Sequence, residues 1–377
     1  MMKIAMLANV PATEFLSNHL IKSRYLGKEH PVPWVQLLCQ ALGEVRELAV
    51  SCITYSRAVR KVERITRNRV EYIFVPKRES GYLDPFHGYW PAFQRIKPLV
   101  DQINPDVVHA HGTEYCYGTV GSRLQYPLVL SVQGIMDKLG PYDERSRLKM
   151  ALICHFEKKA VLSADAIIAK TGFVEEWSRS IGFQGVVEQI PNLVDPRFLG
   201  KKATLDSNRI LCVGTLNKNK NQSLLLHAFA LMPDRENYRL VFAGNGSWMG
   251  QLKELADKLG IHHLVEFKGR MSRQGVLEEM LKARVLVSCS FMETSPNVIS
   301  EAQALGLSVI ASDVGGNREM VNAGGLILPE FDPQLLSNML SGLVKKEIFS
   351  EPPADIAHID EDIVHKHILL YSEIKRP

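Results

Sequence analysis

The stretch that decides the fold is Ser288-Cys289-Ser290-Phe291-Met292-Glu293-Thr294-Ser295-Pro296-Asn297-Val298-Ile299-Ser300-Glu301-Ala302-Gln303-Ala304-Leu305-Gly306. It reads as strand end, tight loop, helix and stop. Ser295 suits a helix cap, Pro296 the first helical position and Gly306 the position after the last turn. Glu293 precedes the cap, and Glu301 lies about one and a half turns into the helix. Two carboxylates therefore bracket a helix start whose N–H groups attract anions such as phosphate. Chance supplies on the order of one Glu pair at this spacing in a chain of this length, so the context has to carry the argument. A further strand, Ser308 to Ser312, and a Gly315-Gly316 loop follow at once.

Working outward, 377 residues suffice for two domains, and 46% hydrophobic with 23% charged residues is ordinary for a globular protein with a sizeable core. The six cysteines are scattered without CxxC or clustered His, which argues against a zinc or disulfide framework and for an intracellular, cytoplasmic setting. No apolar run reaches the length needed to span a bilayer. Met1 to Val10 reads as a first buried strand rather than a signal peptide. Residues 1–100 hold 15 Lys/Arg against 8 Asp/Glu, whereas the remainder holds 30 against 33. Much of the excess lies between Arg57 and Arg69. This segment reads either as a solvated surface or as a docking face for anionic lipid headgroups or a phosphorylated acceptor, giving peripheral contact with the inner face of a membrane. No aromatic interleaving accompanies it, so nucleic acid is not an expected partner.

Buried runs separated by helix-length segments predict an α/β chain with parallel sheets covered on both faces. Strands are expected at Lys3–Val10, Val45–Tyr55, Val70–Pro76, Asp106–Ala110, Leu128–Val132, Ala166–Ala169 and Val186–Ile190. After a polar break around 191–208 a second series is expected at Arg209–Gly214, Tyr238–Gly244, Val265–Lys268, Arg284–Ser288, Ser308–Ser312 and Gly325–Leu328. The predicted domains are 1–195 and 208–350, with an amphipathic helix at 361–376 packing back on the first. In such sheets ligands gather beyond the C-terminal strand ends. Gly214, Thr215 and Lys220 follow the first strand of the second series, Gly244 and Gly246 the next, and Arg270 the third. Together with the main chain of Ser295, Pro296, Asn297 and Val298, they form one predicted rim that suits a diphosphate.

These residues resemble the retaining glycosyltransferases of family 4. The similarity lies in the E-x7-E run from Glu293 to Glu301, with Gly315-Gly316, Asp106-Val107-Val108-His109-Ala110-His111-Gly112, Pro191-Asn192-Leu193-Val194-Asp195 and the Val213-Gly214 loop with Lys220. The resemblance implies a GT-B fold, in which two Rossmann-like doubly wound domains face each other across a cleft. It also implies a nucleotide-diphosphate sugar, UDP-linked in preference to GDP-linked, on the second domain. A glycan or lipid-linked saccharide acceptor would sit on the first. Glu293 would contact the donor sugar as the catalytic residue, Glu301 would accept from ribose hydroxyls, and Lys220 would neutralise the departing diphosphate. No cofactor and no metal are expected, in keeping with the lack of a DxD pattern near the site.

Three positions depart from the family. Thr215 stands where an arginine is usual, leaving Lys218 or Arg270 to supply that charge. Gln133 replaces a histidine, so it can only hydrogen-bond. Asn9 to Glu14 replaces a glycine-rich loop. Gln133, His111 and Glu114 are the acceptor-side candidates. The alternative implied by these departures is a catalytically degenerate protein that binds nucleotide sugar or a partner without turnover.

Overall fold

The structure, a computed structural model, describes residues 1–25, 33–77, 83–204, 207–321, 325–344 and 359–375. The chain divides into two compact units: Met1–Gly140 with Arg145–Leu193 and Ile359–Pro377, and Pro141–Glu144 with Val194–His358. The sequence break at 191–208 therefore straddles the division. Its polar part is pinned within the second unit, where the Ala203 and Thr204 amides donate to the carbonyls of Leu305 and Leu281. Residues 345–350, the expected end of the second domain, lie outside the described residues.

The first unit carries β1 (Met2–Leu7), β2 (Leu48–Ser56), β3 (Glu63–Arg67), β4 (Val70–Pro76), β5 (Val107–His111), β6 (Leu128–Ser131), β7 (Ala166–Ala169) and β8 (Val186–Gln189) in the order β3-β4-β2-β1-β5-β6-β7-β8. Alternate residues of one strand feed opposite cores, with Ile4 and Met6 on one side and Ala5 and Leu7 on the other. Burial on both faces is what makes these strands read as unbroken apolar runs.

All pairings in this sheet are parallel except β3 with β4, which is antiparallel and absent from the sequence expectation. Strand β3 is an edge strand rich in charge, with Ile65 as its apolar anchor. Arg67 pairs with Val70 across a two-residue turn, Asn68-Arg69, whose φ values of 51° and 61° fit a primed hairpin turn. Three cations of the basic segment are engaged locally. Arg64 pairs with Glu71 at 2.8 Å, the Arg67 guanidinium lies 5.6 Å from the Phe15 ring centre, and Arg69 donates to the Glu44 carbonyl.

The last helix, Ile359–Ile374, packs on this unit through Ile363, Leu370 and Tyr371. Its polar tie is to His109, which is wholly buried on β5. The His109 ring nitrogens meet the Tyr371 hydroxyl at 2.7 Å and the Ser131 hydroxyl at 2.8 Å. Burial, then the nearby His111, His367 and Lys170, pushes the His109 pKa well down, so the neutral ring has one donor and one acceptor nitrogen, each matched by a hydroxyl. Lys375 also pairs with Asp106 at 2.9 Å.

The second unit has β9 (Arg209–Val213), β10 (Arg239–Ala243), β11 (Val265–Gly269), β12 (Val285–Ser288), β13 (Ser308–Ser312) and β14 (Gly325–Leu328), ordered β11-β10-β9-β12-β13-β14 and parallel throughout. Strand order reverses beside β1 in the first sheet and beside β9 in the second. Such switch points open crevices at the carboxyl ends of strands.

Tyr371→Phe removes the hydroxyl partner of His109 and leaves a buried ring nitrogen unsatisfied. The expected loss is about 1–3 kcal/mol of unfolding free energy. A lower urea midpoint at unchanged slope is the measurement that checks it.

Candidate functional site

The switch point of the second sheet lies between β9 and β12, and the loops leaving these strands are stitched together. After β9, Asn217 caps a 3-10 turn, Lys218–Lys220, by accepting from the Lys220 amide at 3.0 Å. Asn219 then receives the Phe291 amide at 2.7 Å and donates its side chain to the Met292 carbonyl at 3.0 Å. This places Lys220 Nζ in an ion pair with Glu293 Oε1. Thr215 is exposed, and its carbonyl accepts from Gln222 at 2.9 Å.

Glycines allow the neighbouring loops to join this pair. A Cβ on Gly244 would stand 1.8 Å from the Gly214 carbonyl oxygen, and one on Gly246 would stand 2.0 Å from that of Leu216. On the other flank, Gly315 has φ +52°, and a Cβ there would lie 1.8 Å from the Glu293 carbonyl oxygen. That carbonyl also accepts from the Gly316 amide at 3.1 Å. The structure thus brings Gly214, Lys220, Gly244, Gly246 and Glu293 to one rim.

The helix begins later than expected, running from Asn297 to Ala304 with Pro296 at the N-cap and no side-chain cap bond. Ser295 is not the cap, because Pro296 is itself extended, at φ −73° and ψ 106°. The Ser295 hydroxyl faces Met320 Sδ at 3.5 Å instead. Glu301 consequently sits just over one turn in. The stop is a Schellman arrangement: Gly306 at φ +65°, its amide bonded to the Gln303 carbonyl and that of Leu307 to Ala302.

Glu301 is buried and held in a two-pronged grip by Arg273, at 2.6 and 3.2 Å. Arg273 also reaches Asp195 at 3.3 Å and lies 4.9 Å above the Phe198 ring. Asp195 in turn caps the turn Pro196–Phe198 and pairs with Arg197 at 2.8 Å. Burial pushes the Glu301 pKa up and Arg273 reverses only part of that. For Asp195, burial is outweighed by Arg197 and Arg273, and the carboxyl lies below its usual range. Two lone-pair sites of Glu301 take the arginine, and a carboxylate has about four, so it can still accept from a ligand. Sequence reasoning missed Arg273, the first residue of the helix Arg273–Leu281. Arg270, three residues earlier, is exposed after β11, which two strands separate from β12.

The acceptor-side candidates lie at the carboxyl ends of the paired strands β5 and β6 in the first unit. His111 is buried, stacks 4.1 Å from His109, and neither ring nitrogen has a hydrogen-bond partner among the described residues. Burial, then Lys170 and His367, pushes its pKa well below the usual range. Gln133, after β6, accepts from Asn192 at 3.4 Å. Glu114 follows β5 and folds over Gly112, whose φ of +82° and missing Cβ leave room for its carboxylate. Burial raises the Glu114 pKa. Among the described residues, no group of three His, Cys, Asp or Glu side chains is placed to hold a metal ion, and no helix is long and apolar enough to cross a membrane.

Gly315→Ala drives a methyl group into the Glu293 carbonyl while straining a positive φ. The expected result is a loss of about 1–3 kcal/mol of unfolding free energy, read as a lower urea midpoint.

Comparison with known proteins agrees with this geometry. Residues 198–357 match the family Glycosyl transferases group 1, and residues 34–198 match Glycosyltransferase Family 4. A curated relative from Campylobacter jejuni, "GalNAc-alpha-(1->4)-GalNAc-alpha-(1->3)-diNAcBac-PP-undecaprenol alpha-1,4-N-acetyl-D-galactosaminyltransferase", is 30% identical over 46% of this chain and 50% of its own length. The chain spans half or less of the length of this and other curated relatives it matches. Among solved structures, sucrose-phosphate synthase from Thermosynechococcus elongatus superposes with a TM-score of 0.75 at 17% identity, covering 99% of both chains. HepE from Anabaena, solved with UDP-glucose, gives 0.67 at 15% identity, covering 100% of this chain and 96% of its own. The fold is that of the GT-B proteins, and the chain belongs to the group 1 and family 4 glycosyltransferases.

Proposed function

We propose that the chain transfers a sugar, with retention of anomeric configuration, from a UDP-linked donor to a saccharide or lipid-linked saccharide acceptor in polysaccharide or glycolipid synthesis. The observation that carries this reading is the ion pair of Lys220 with Glu293 on the rim of β9 and β12, followed four residues on by the helix Asn297–Ala304, whose Glu301 is held by Arg273. Its relatives support it: the Campylobacter jejuni protein is a transferase of N-acetyl-D-galactosamine to an undecaprenol-linked diphosphate saccharide, and the Anabaena neighbour was solved with UDP-glucose.

In this reading negative charge grows on the leaving diphosphate as the sugar becomes cation-like. Fixed positive groups aimed at that charge lower the barrier. Lys220 meets the diphosphate, and the main-chain N–H groups from Ser295 to Val298 assist at the helix start. Glu293, already drawn to Lys220, contacts the sugar ring. Glu301 accepts from the ribose hydroxyls, and Arg273 positions it. No step in this reading requires a metal. Thr215 contributes no charge, and this favours the second reading, a protein that binds donor without turnover. Peripheral membrane contact rests on the basic excess of residues 1–100, and the lipid-linked acceptor of the relative is consistent with it.

A thermal-shift series with UDP, GDP, ADP and their sugars tests the reading, since ligands of the native state raise the melting temperature by mass action. UDP and its sugars are expected to give the largest rise, and Glu301→Ala to weaken UDP at least about tenfold. A flat response to every nucleotide would overturn both readings. Donor binding without any product from a lipid-extract acceptor pool would select the second.

A further inference from the structure

A cavity of about 450 Å3 opens in the first unit beside its own switch point. That volume falls within the range of roughly 300–1,000 Å3 typical of small-molecule sites. Its walls come from the strand ends where ligands of such sheets collect: Asn9 follows β1, Tyr55 and Ser56 close β2, Lys77 follows β4, and Glu114 and Tyr115 follow β5. The remaining charged groups are contributed by Arg57, Asp84, Arg145 and Lys149.

The charge is one-sided. Among the described residues, four cations, Arg57, Lys77, Arg145 and Lys149, line the cavity against two carboxylates, Asp84 and Glu114. Lys77 is ion-paired with Asp84, and Lys149 is only 8% exposed. Burial favours the neutral form of Glu114, which widens the imbalance. Cations lining a half-buried hollow raise its electrostatic potential, which draws in an anion. Tyrosines form much of the rest. The Tyr55 ring lies 5.2 Å from the Lys77 ammonium and its hydroxyl accepts from Arg95 at 3.2 Å, so the ring is fixed in place. Tyr25 also lines the hollow, as does Tyr115, which is 55% exposed. Flat, rigid rings with a polar tip suit the apolar face and hydroxyls of a sugar.

We infer that this cavity binds a saccharide bearing an oxyanion, a phosphate or a carboxylate, with the charged group among Arg57, Arg145 and Lys149 and the ring against the tyrosines. The inference rests on the transferase reading only in taking this saccharide for the acceptor; the cavity and its charge stand apart from it.

Calorimetric titration of the full chain with glucose 6-phosphate, glucuronate, glucose and inorganic phosphate tests the assignment. At least one of the two charged sugars should bind at least tenfold more tightly than glucose and than inorganic phosphate, and weaken as salt is raised. Whichever of the two binds identifies the oxyanion. Arg145→Gln and the exposed Arg57→Gln should each reduce that affinity at least fivefold, in proteins whose melting temperature still rises with UDP. Equal binding of glucose, equal binding of inorganic phosphate, no saturable binding, or full affinity in both variants would each overturn the proposal. A native protein that binds the charged sugar but no nucleotide would sink the transferase reading while leaving the cavity assignment standing.

Discussion

The second unit depends on how closely its loop backbones approach one another at the carboxyl edge of the sheet. Gly244 and Gly246 let the loop after β10 lie against that after β9, and Gly315 lets the loop after β13 lie against Glu293. Parallel strands stand about 4.8 Å apart, so loops leaving them part unless side chains are removed from between. With those glycines in place, main-chain amides, Lys220 and the helix start crowd around one small volume. A Cβ at any of these points would hold the loops apart, and the charges would face water singly, where each is worth little.

Electrostatics refines what the backbone permits. Glu301 is buried, which alone would favour its protonated form, and Arg273 offsets part of that penalty by a two-pronged contact. Asp195 holds Arg273 from its other side, and the Phe198 ring lies beneath it. The segment Pro191 to Phe198 is therefore more than a connector: its last four residues belong to the frame that orients Arg273 and, through it, Glu301.

The strands were legible in the sequence because burial on both faces leaves continuous apolar runs, and all six in the second series begin and end at the expected residue or its neighbour. Strand β3 was not, since an edge strand with Arg64 and Arg67 pointing to other side chains carries one apolar anchor and no clean alternation. At the site, the glycines, Lys220 and the two glutamates could be named from their place after strands. Arg273 could not, because one arginine among 45 Lys/Arg gains meaning only when the fold sets its helix beside Glu301. The helix start moved for a local reason, as proline took the capping place itself. The cavity of the first unit was hidden for a similar reason: its cations at 57, 77, 145 and 149 come from segments far apart in the chain.

The first unit is assembled from both ends of the chain. Strand β5 presents His109 early, yet the tyrosine that satisfies it lies at position 371, after the whole second unit. During synthesis the second unit emerges complete while the first still lacks its final helix, so on the ribosome the second unit can reach its native state ahead of the unit that precedes it. Until the last helix docks, part of the apolar cluster of the first unit, including the surface that Ile363 and Leu370 cover, stays open to solvent and to chaperones. Completion of the first unit is thereby tied to the arrival of the helix Ile359–Ile374, and a chain released before that helix carries a finished second unit beside an unfinished first one.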